Sequence, residues 1–261
     1  MKKIISFDLF AEKGFFKKPD INEKICLTYN MLHKPALLGI LGAILGLKGF
    51  QKNGELPEYY QKLKHIPVGI EPISGNHYNG NFTKTIITYN NSTGLASKEA
   101  GGNLVVSEQT LINPAFRIYL LLNLEVELEF ELLDKIKNQK AEFLPYLGKN
   151  DYSAWWSKES FKEYEVKPFG ANQSVKILNI FLKQQSTIEM ESVEENKDYF
   201  LMDFESKEIG TFSYFEKLPI DYDEKLFQYN LGDFAFTDIK LRITGEKSNL
   251  YEIEEGVIQL N

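Results

Sequence analysis

The chain has 261 residues, 43% of them hydrophobic, a net charge of −7 and a single cysteine, Cys26. That length can bury a sizeable core, as one large domain or as a domain with a substantial appendage, and the composition excludes wholesale disorder. The acidic balance argues against a free-standing nucleic-acid binder, which must neutralise phosphates, so any contact with nucleic acid has to come from a local patch helped by partner subunits.

One thiol excludes an intramolecular disulfide. Three histidines with no Cys/His cluster and no HExxH leave nothing from which to build a zinc site, so neither metal nor cofactor is expected. Asp8, Glu12 and Lys13 interrupt the start of the chain, so no secretory signal is expected there and the cytoplasm is the expected location.

Lys3 to Phe10 alternates, with Ile5, Phe7 and Leu9 on one face and Ile4, Ser6 and Asp8 on the other, as in a half-buried strand. A long loop follows, and its Phe15, Phe16, Lys17 and Lys18 form an aromatic and basic cluster that could stack on RNA or simply anchor the loop.

The sequence LTYNMLHKPALLGILGAILGL, residues 27–47, then sets out a buried helix starting near Lys34. Pro35 suits a first helical position. Gly39 with Ala43, and Gly42 with Gly46, lie one turn apart and make a stripe of small residues expected to pack closely against a sheet. The apolar run is too short for a membrane span, and it matches neither GxGxxG nor GxxxxGK[ST]. His33 and Lys34 stand at the helix start, where unpaired N–H groups and the helix dipole favour an anion, although solvating the helix end is an equal alternative.

Beyond it come a short helix at Pro57 to Lys64 and a strand at Val68 to Ile73. Gly75 to Gly102 follows as a polar excursion rich in Asn and Gly, with an alternating run at Thr83 to Tyr89. Strands at Leu104 to Ile112 and Ala115 to Val126 precede an amphipathic helix at Leu128 to Asn138. The rest reads as strands, at Val175 to Leu182, Thr187 to Val193, Asp198 to Phe204, Gly210 to Phe215, Phe234 to Ile243 and Leu250 to Leu260. The expected class is α+β, a ferredoxin-like sheet under the glycine-striped helix in residues 1–163, and a smaller β-rich region in residues 164–261.

The glycine-striped segment, the stretch STGLASKEAGGNLVVSEQTLINPAFRIYLLL, the turn FLPYLGKNDYSA and the segment FSYFEKLPIDYDEKLFQY, in this order, resemble the fifth CRISPR-associated (Cas) protein family in its type I-B form. These are RAMP-superfamily subunits of the Cascade complex. The resemblance implies an RRM-like core with a protruding thumb hairpin, here near residues 75–102. It also implies binding of the 5′ handle of the CRISPR RNA, with the backbone and large subunits of the complex as partners, and no membrane. Members often carry Arg where this chain has His33 and Lys34, so the bidentate guanidinium fork is missing at that point.

Two readings compete. In the first, a non-catalytic RNA-binding subunit holds the handle by stacking and phosphate contacts, with His33, Lys34, Tyr78, Phe82, Lys84, Tyr89, Lys98 and Arg117 as candidates. Tyr89 also suits cross-strand packing, and Arg117 an edge charge. In the second, a metal-independent endoribonuclease cuts repeat RNA, with His77 or His33 as general base and Lys84 or Lys34 as the cation beside the phosphate. A small-molecule enzyme is disfavoured: Asp221 with Asp223 and Glu194 with Glu195 are expected in polar, solvated loops, and no GxSxG nucleophile motif occurs.

Overall fold

The computed structural model describes residues 1–19, 24–52, 54–75, 79–91, 104–170, 174–183, 188–190, 212–243 and 249–261. Its centre is β1 (Lys2–Ala11), which pairs antiparallel with β5 (Ala115–Asn123) from Lys2 opposite Asn123 to Phe10 opposite Ala115. The other side of β5 carries β2 (Val68–Pro72), and the other side of β1 carries β6 (Ala154–Trp156) and β7 (Lys162–Tyr164) in turn. The sheet therefore runs β2-β5-β1-β6, with β7 extending the last position, and all neighbours are antiparallel.

Among the described residues three α-helices accompany it: α1 (Lys34–Leu45), α2 (Glu58–Leu63) and α3 (Glu127–Lys137). Ile5, Phe7 and Leu9 of β1 join Ile118, Leu120 and Leu122 of β5 in one core with Leu37, Leu38, Leu41 and Ile44 of α1 and Leu132 and Ile136 of α3. The opposite face of β1 was expected to meet water. Instead Ile4 and Ser6 are fully buried, Ile4 in a second core with Tyr119, Tyr164, Ile258 and Leu260, and Ser6 Oγ within hydrogen-bonding distance of the Tyr164 hydroxyl at 3.2 Å. The covering layer is a hairpin of β10 (Leu250–Ile253) and β11 (Gly256–Gln259), which forms where one continuous strand was expected.

The ends of α1 follow from its sequence. His33 is the N-cap, Pro35 fills the first turn, and Gly46, at φ 77°, closes the helix in the left-handed conformation. The small-residue stripe does not meet the sheet. The larger side chains do that, and Gly42 instead faces α2, where a Cβ on residue 42 would stand 2.4 Å from Tyr59 Cβ.

Strands β3 (Lys84–Asn91) and β4 (Leu104–Ile112) form an arm, in register from Lys84 opposite Leu111 to Asn91 opposite Leu104, so the strand expected at Leu104 to Ile112 in the sheet of β1 instead pairs in a separate sheet with residues of the expected excursion. Its root is built into the protein: Thr110 and Leu111 are fully buried, and β4 also pairs with Lys13–Gly14 and Ile25–Cys26. Farther out, Ile86 and Val105 are 55% and 59% exposed. The connecting residues 92–103 lie outside the described part, as do 76–78 at the base.

In the second half, β8 (Ser213–Asp223) and β9 (Gln228–Thr237) make a long hairpin with a register shift between Pro219 and Asp221. Of the strand expected at 210–215, Ser213 to Phe215 begin this longer one and residues 210–211 lie outside the described part, and Asp221 and Asp223 end the strand instead of lying in a loop. Leu218, Phe234 and Phe236 of the hairpin belong to the main core. The expected strand at Val175 to Leu182 is broken into Ser174–Val175 and Phe181–Leu182. The strand expected at residues 198–204 and the pair Glu194 and Glu195 lie outside the described residues.

Candidate functional site

The outward face of α1 is the floor of a groove of about 860 Å³. Ala36, Gly39, Ala43 and Leu47 lie along it, all half-buried, so this part of the small-residue stripe is open. Its sides come from three separated stretches: Phe15, Phe16 and Lys17; Lys48 to Gln51 with Tyr59; and Phe143 to Lys149. Large apolar side chains stand exposed beside it, Phe50 at 60%, Phe143 at 56% and Leu144 at 68%. Concentrated exposed apolar surface of this kind is characteristic of interaction sites.

The side at residues 143–149 is held by backbone geometry. Gly148 adopts φ 84°, and a Cβ there would lie 1.8 Å from the carbonyl oxygen of Phe15, so no other residue fits; Phe15 N–H donates to the Leu147 carbonyl at 3.1 Å. This packing carries Lys149 over the rings of Tyr89, at 4.6 Å, and Tyr152, at 5.6 Å. Among the described residues the one acid lining the groove is Glu108 of β4, and both its oxygens are engaged: Oε1 accepts from the Tyr89 hydroxyl and Oε2 from Lys149 Nζ, each at 2.7 Å. Lys17 and Lys48, both exposed, add positive charge that Glu108 does not offset.

His33 forms part of the wall but is buried, and its ring meets Phe16, Tyr29 and Tyr229 edge-on at 5.4–5.8 Å. Its Nδ1 accepts the Ala36 N–H at 3.4 Å. Burial pushes its pKa down to about 3, so the ring is neutral at physiological pH and neither neutralises a phosphate nor serves as a base matched to that pH. Lys34 is also drawn inward. Its Nζ donates to the Asn261 carbonyl at 3.0 Å, and burial lowers its pKa to about 8 against the opposing pull of Asp221.

Other sequence candidates turn out to be structural. Phe82 is buried, with its ring 5.2 Å from that of Phe116, so it cannot stack on a base. Arg117 sits on a strand paired on both sides, not on an edge. Its Nε donates to Asp8 Oδ1 at 2.7 Å and its Nη2 to Asp8 Oδ2 at 3.0 Å, which takes up the fork that would grip a phosphate.

Lys84 donates to Asn30 Oδ1 at 2.6 Å, and desolvation lowers its pKa. Asn30 belongs to a knot around Glu216, whose carboxylate accepts from the N–H groups of Asn30 and Met31 and from the Tyr214 hydroxyl, and pairs with Lys18 at 3.3 Å. Tyr89 reaches the groove through Glu108 and Lys149. His77, Tyr78 and Lys98 lie outside the described residues.

Sequence reasoning found the cluster at residues 15–18 but missed Lys48, Phe50, Tyr59, Phe143, Tyr146 and Lys149. The visible signal was apolar and aromatic residues in loops beside glycine, at Lys48-Gly49-Phe50 and in FLPYLGK.

No protein-family profile matches the chain, and no curated protein does. Solved structures do. A CRISPR protein from Archaeoglobus fulgidus aligns over 100% of this chain and 99% of its own at 10% identity, with a TM-score of 0.50. A chain of a CRISPR RNA-guided surveillance complex aligns over 94% and 95% at 10% identity, TM-score 0.48. A chain of a type III-B Cmr-beta complex bound to cognate target RNA aligns over 92% and 86% at 12% identity, TM-score 0.46. At these identities the likeness is one of fold, and along its whole length this chain shares the fold of the Archaeoglobus fulgidus CRISPR protein.

Proposed function

We propose that this chain is a non-catalytic RNA-binding subunit of a Cascade-type CRISPR complex, which holds the 5′ handle of the CRISPR RNA in the groove over α1 and docks neighbouring subunits around it. The observation that carries the proposal is the groove itself. In a chain of net charge −7, its lining interleaves aromatic rings with Lys17, Lys48 and Lys149 and, among the described residues, holds a single acid, which is fully engaged. Aromatic faces stack unpaired bases and lysines meet the phosphates, which is how a single strand is held without a deep site.

The fold supports the same assignment. The connection β1-α1-β2-β5-α3-β6 with sheet order β2-β5-β1-β6 fits a ferredoxin-like RAMP core in residues 1–163, with β3–β4 as its thumb and residues 164–261 as a β-rich partner to it. The burial and neutrality of His33 count against the nuclease alternative at that position.

The test is to express the tagged chain together with the genes that flank it, purify the assembly and sequence the RNA it retains. Repeat-derived RNA should be retained, and lost at least tenfold when Lys17→Glu and Lys48→Glu are combined. Retention of no RNA, or of bulk cellular RNA without repeat sequence, refutes the assignment.

A further inference from the structure

The arm leaves one edge of β3 open. Ile112 N–H donates to the Thr83 carbonyl at 2.8 Å, and the register sets these two residues opposite each other, so they form a hydrogen-bonded pair. Alternation along an antiparallel strand then turns the backbone groups of Thr85, Ile87 and Tyr89 towards β4, and those of Lys84, Ile86, Thr88 and Asn90 away from it. Among the described residues nothing pairs with β3 on that outer side, whereas β4 is flanked on its far side by Lys13–Gly14 and Ile25–Cys26. All four outward-turned residues are exposed.

Edge strands are ordinarily guarded by a proline, a bulge or a charge. β3 carries no such guard beyond its root. Its sequence KTIITYNN has no proline and no acid, and its register with β4 runs unbroken. The single charge, Lys84, is spent on Asn30 Oδ1 at 2.6 Å. The open edge is thus a row of N–H donors and C=O acceptors in regular alternation. Another peptide strand matches that row, and the phosphates and bases of a nucleic acid do not.

We propose that this edge pairs with the same edge of a second copy of the chain, antiparallel about a two-fold axis at Ile87. The outward-turned residues fix the register, because they have to bond to one another. Lys84 then stands opposite Asn90, Ile86 opposite Thr88, and Ile87 opposite Ile87 of the other copy, which engages all four. No like charges meet, since the two Lys84 side chains lie at opposite ends of the pair, and β-branched residues fill its centre. A contact of this kind is isologous and closes at two copies. One pair of strands is a small interface, so the dimer is weak and depends on concentration. The pairing uses the backbone edge of the arm and does not depend on the RNA-binding function proposed above.

The test uses the full chain, purified alone and free of RNA. In sedimentation equilibrium over a hundredfold range of concentration, wild type should pass from monomer to dimer. Ile86→Lys, which sets a charge on the open edge, should weaken dimerisation at least tenfold. Thr88→Pro, which removes an outward N–H and no bond to β4, should do the same. If Thr88→Pro does not fold by circular dichroism, Ile86→Lys decides, its position being 55% exposed.

A cysteine pair checks the register. Ile87→Cys should oxidise to a covalent dimer, because facing residues at a non-hydrogen-bonded position have Cα atoms about 4.5 Å apart, within disulfide reach. Thr85→Cys lies four residues out of step with its copy and should cross-link no more than wild type, which carries Cys26. A monomer at every concentration, undiminished dimerisation of the folded variants, or equal cross-linking at residues 85 and 87 overturns the proposal. A monomer whose Ile86 and Thr88 amides gain hydrogen-exchange protection only when purified with the products of the flanking genes also overturns it, and gives the edge to another subunit.

Discussion

Gly42 of α1 lies directly beneath Tyr59 of α2: a Cβ on residue 42 would stand 2.4 Å from Tyr59 Cβ and 3.0 Å from Cγ. One position along, Ala43 is half-buried and lies on the groove floor. Two neighbouring small residues thus do different things. Gly42→Ala should destabilise the protein by about 1–3 kcal/mol, because α2 has to move. Ala43→Leu should leave the thermal midpoint nearly unchanged and instead reduce RNA retention by obstructing the groove. Equal losses of stability in the two variants would show that the groove floor is part of the packed core.

The Arg117–Asp8 pair ties β5 to β1 across 109 residues of sequence. Arg117→Ala leaves the Asp8 carboxylate, 13% exposed, without its bidentate partner, and should cost about 1–3 kcal/mol in urea unfolding. RNA retained per folded molecule should not change. A variant that folds normally but loses RNA would return Arg117 to the RNA-binding surface.

His33 makes stability depend on pH in a defined direction. The unfolded chain takes up a proton at residue 33 near pH 6.5, and the folded chain does not until about pH 3, so the unfolded state binds more protons in between. Stability should therefore be full above pH 6.5 and fall with acidification, by up to ~1.4 kcal/mol per pH unit from this group. His33→Asn keeps an N-cap oxygen and removes the titration. Urea midpoints for this variant should decline less than those of wild type between pH 7.5 and pH 4.5. Parallel declines would mean that the ring is solvated when folded.

Shortening the arm has to respect its root. Phe82 is core and Lys84 holds Asn30, so cutting below them would damage the protein. Replacing residues 89–106 with a short Gly-Asn turn, closed on the Thr88–Ser107 pair, leaves Phe82, Lys84, Thr110 and Leu111 in place. The thermal midpoint should shift by no more than a few degrees, while handle RNA retention in the assembled complex should fall at least tenfold. Full retention would remove the arm from the RNA-binding surface.

The sequence by itself determined those features whose physics is local. Pro35 marks the start of α1, spacing of apolar residues sets α3, and the alternating run at Thr83 to Tyr89 marks β3. It also exposed residues 15–18 as aromatic and basic, which the structure places in and beside the groove. Tertiary structure alone decided what each candidate side chain meets. His33 looked like a helix-end cation and is a neutral ring in an aromatic box, because Tyr229 reaches it from 196 positions away in sequence. Arg117 looked like an edge charge, because nothing near residue 117 announces Asp8. The groove draws on residues 15–17, 36–51, 59 and 143–149, which meet only after the sheet has formed. Burial and pairing are sums over such distant neighbours, and so they shift pKa values and choose partners in ways that no local window contains.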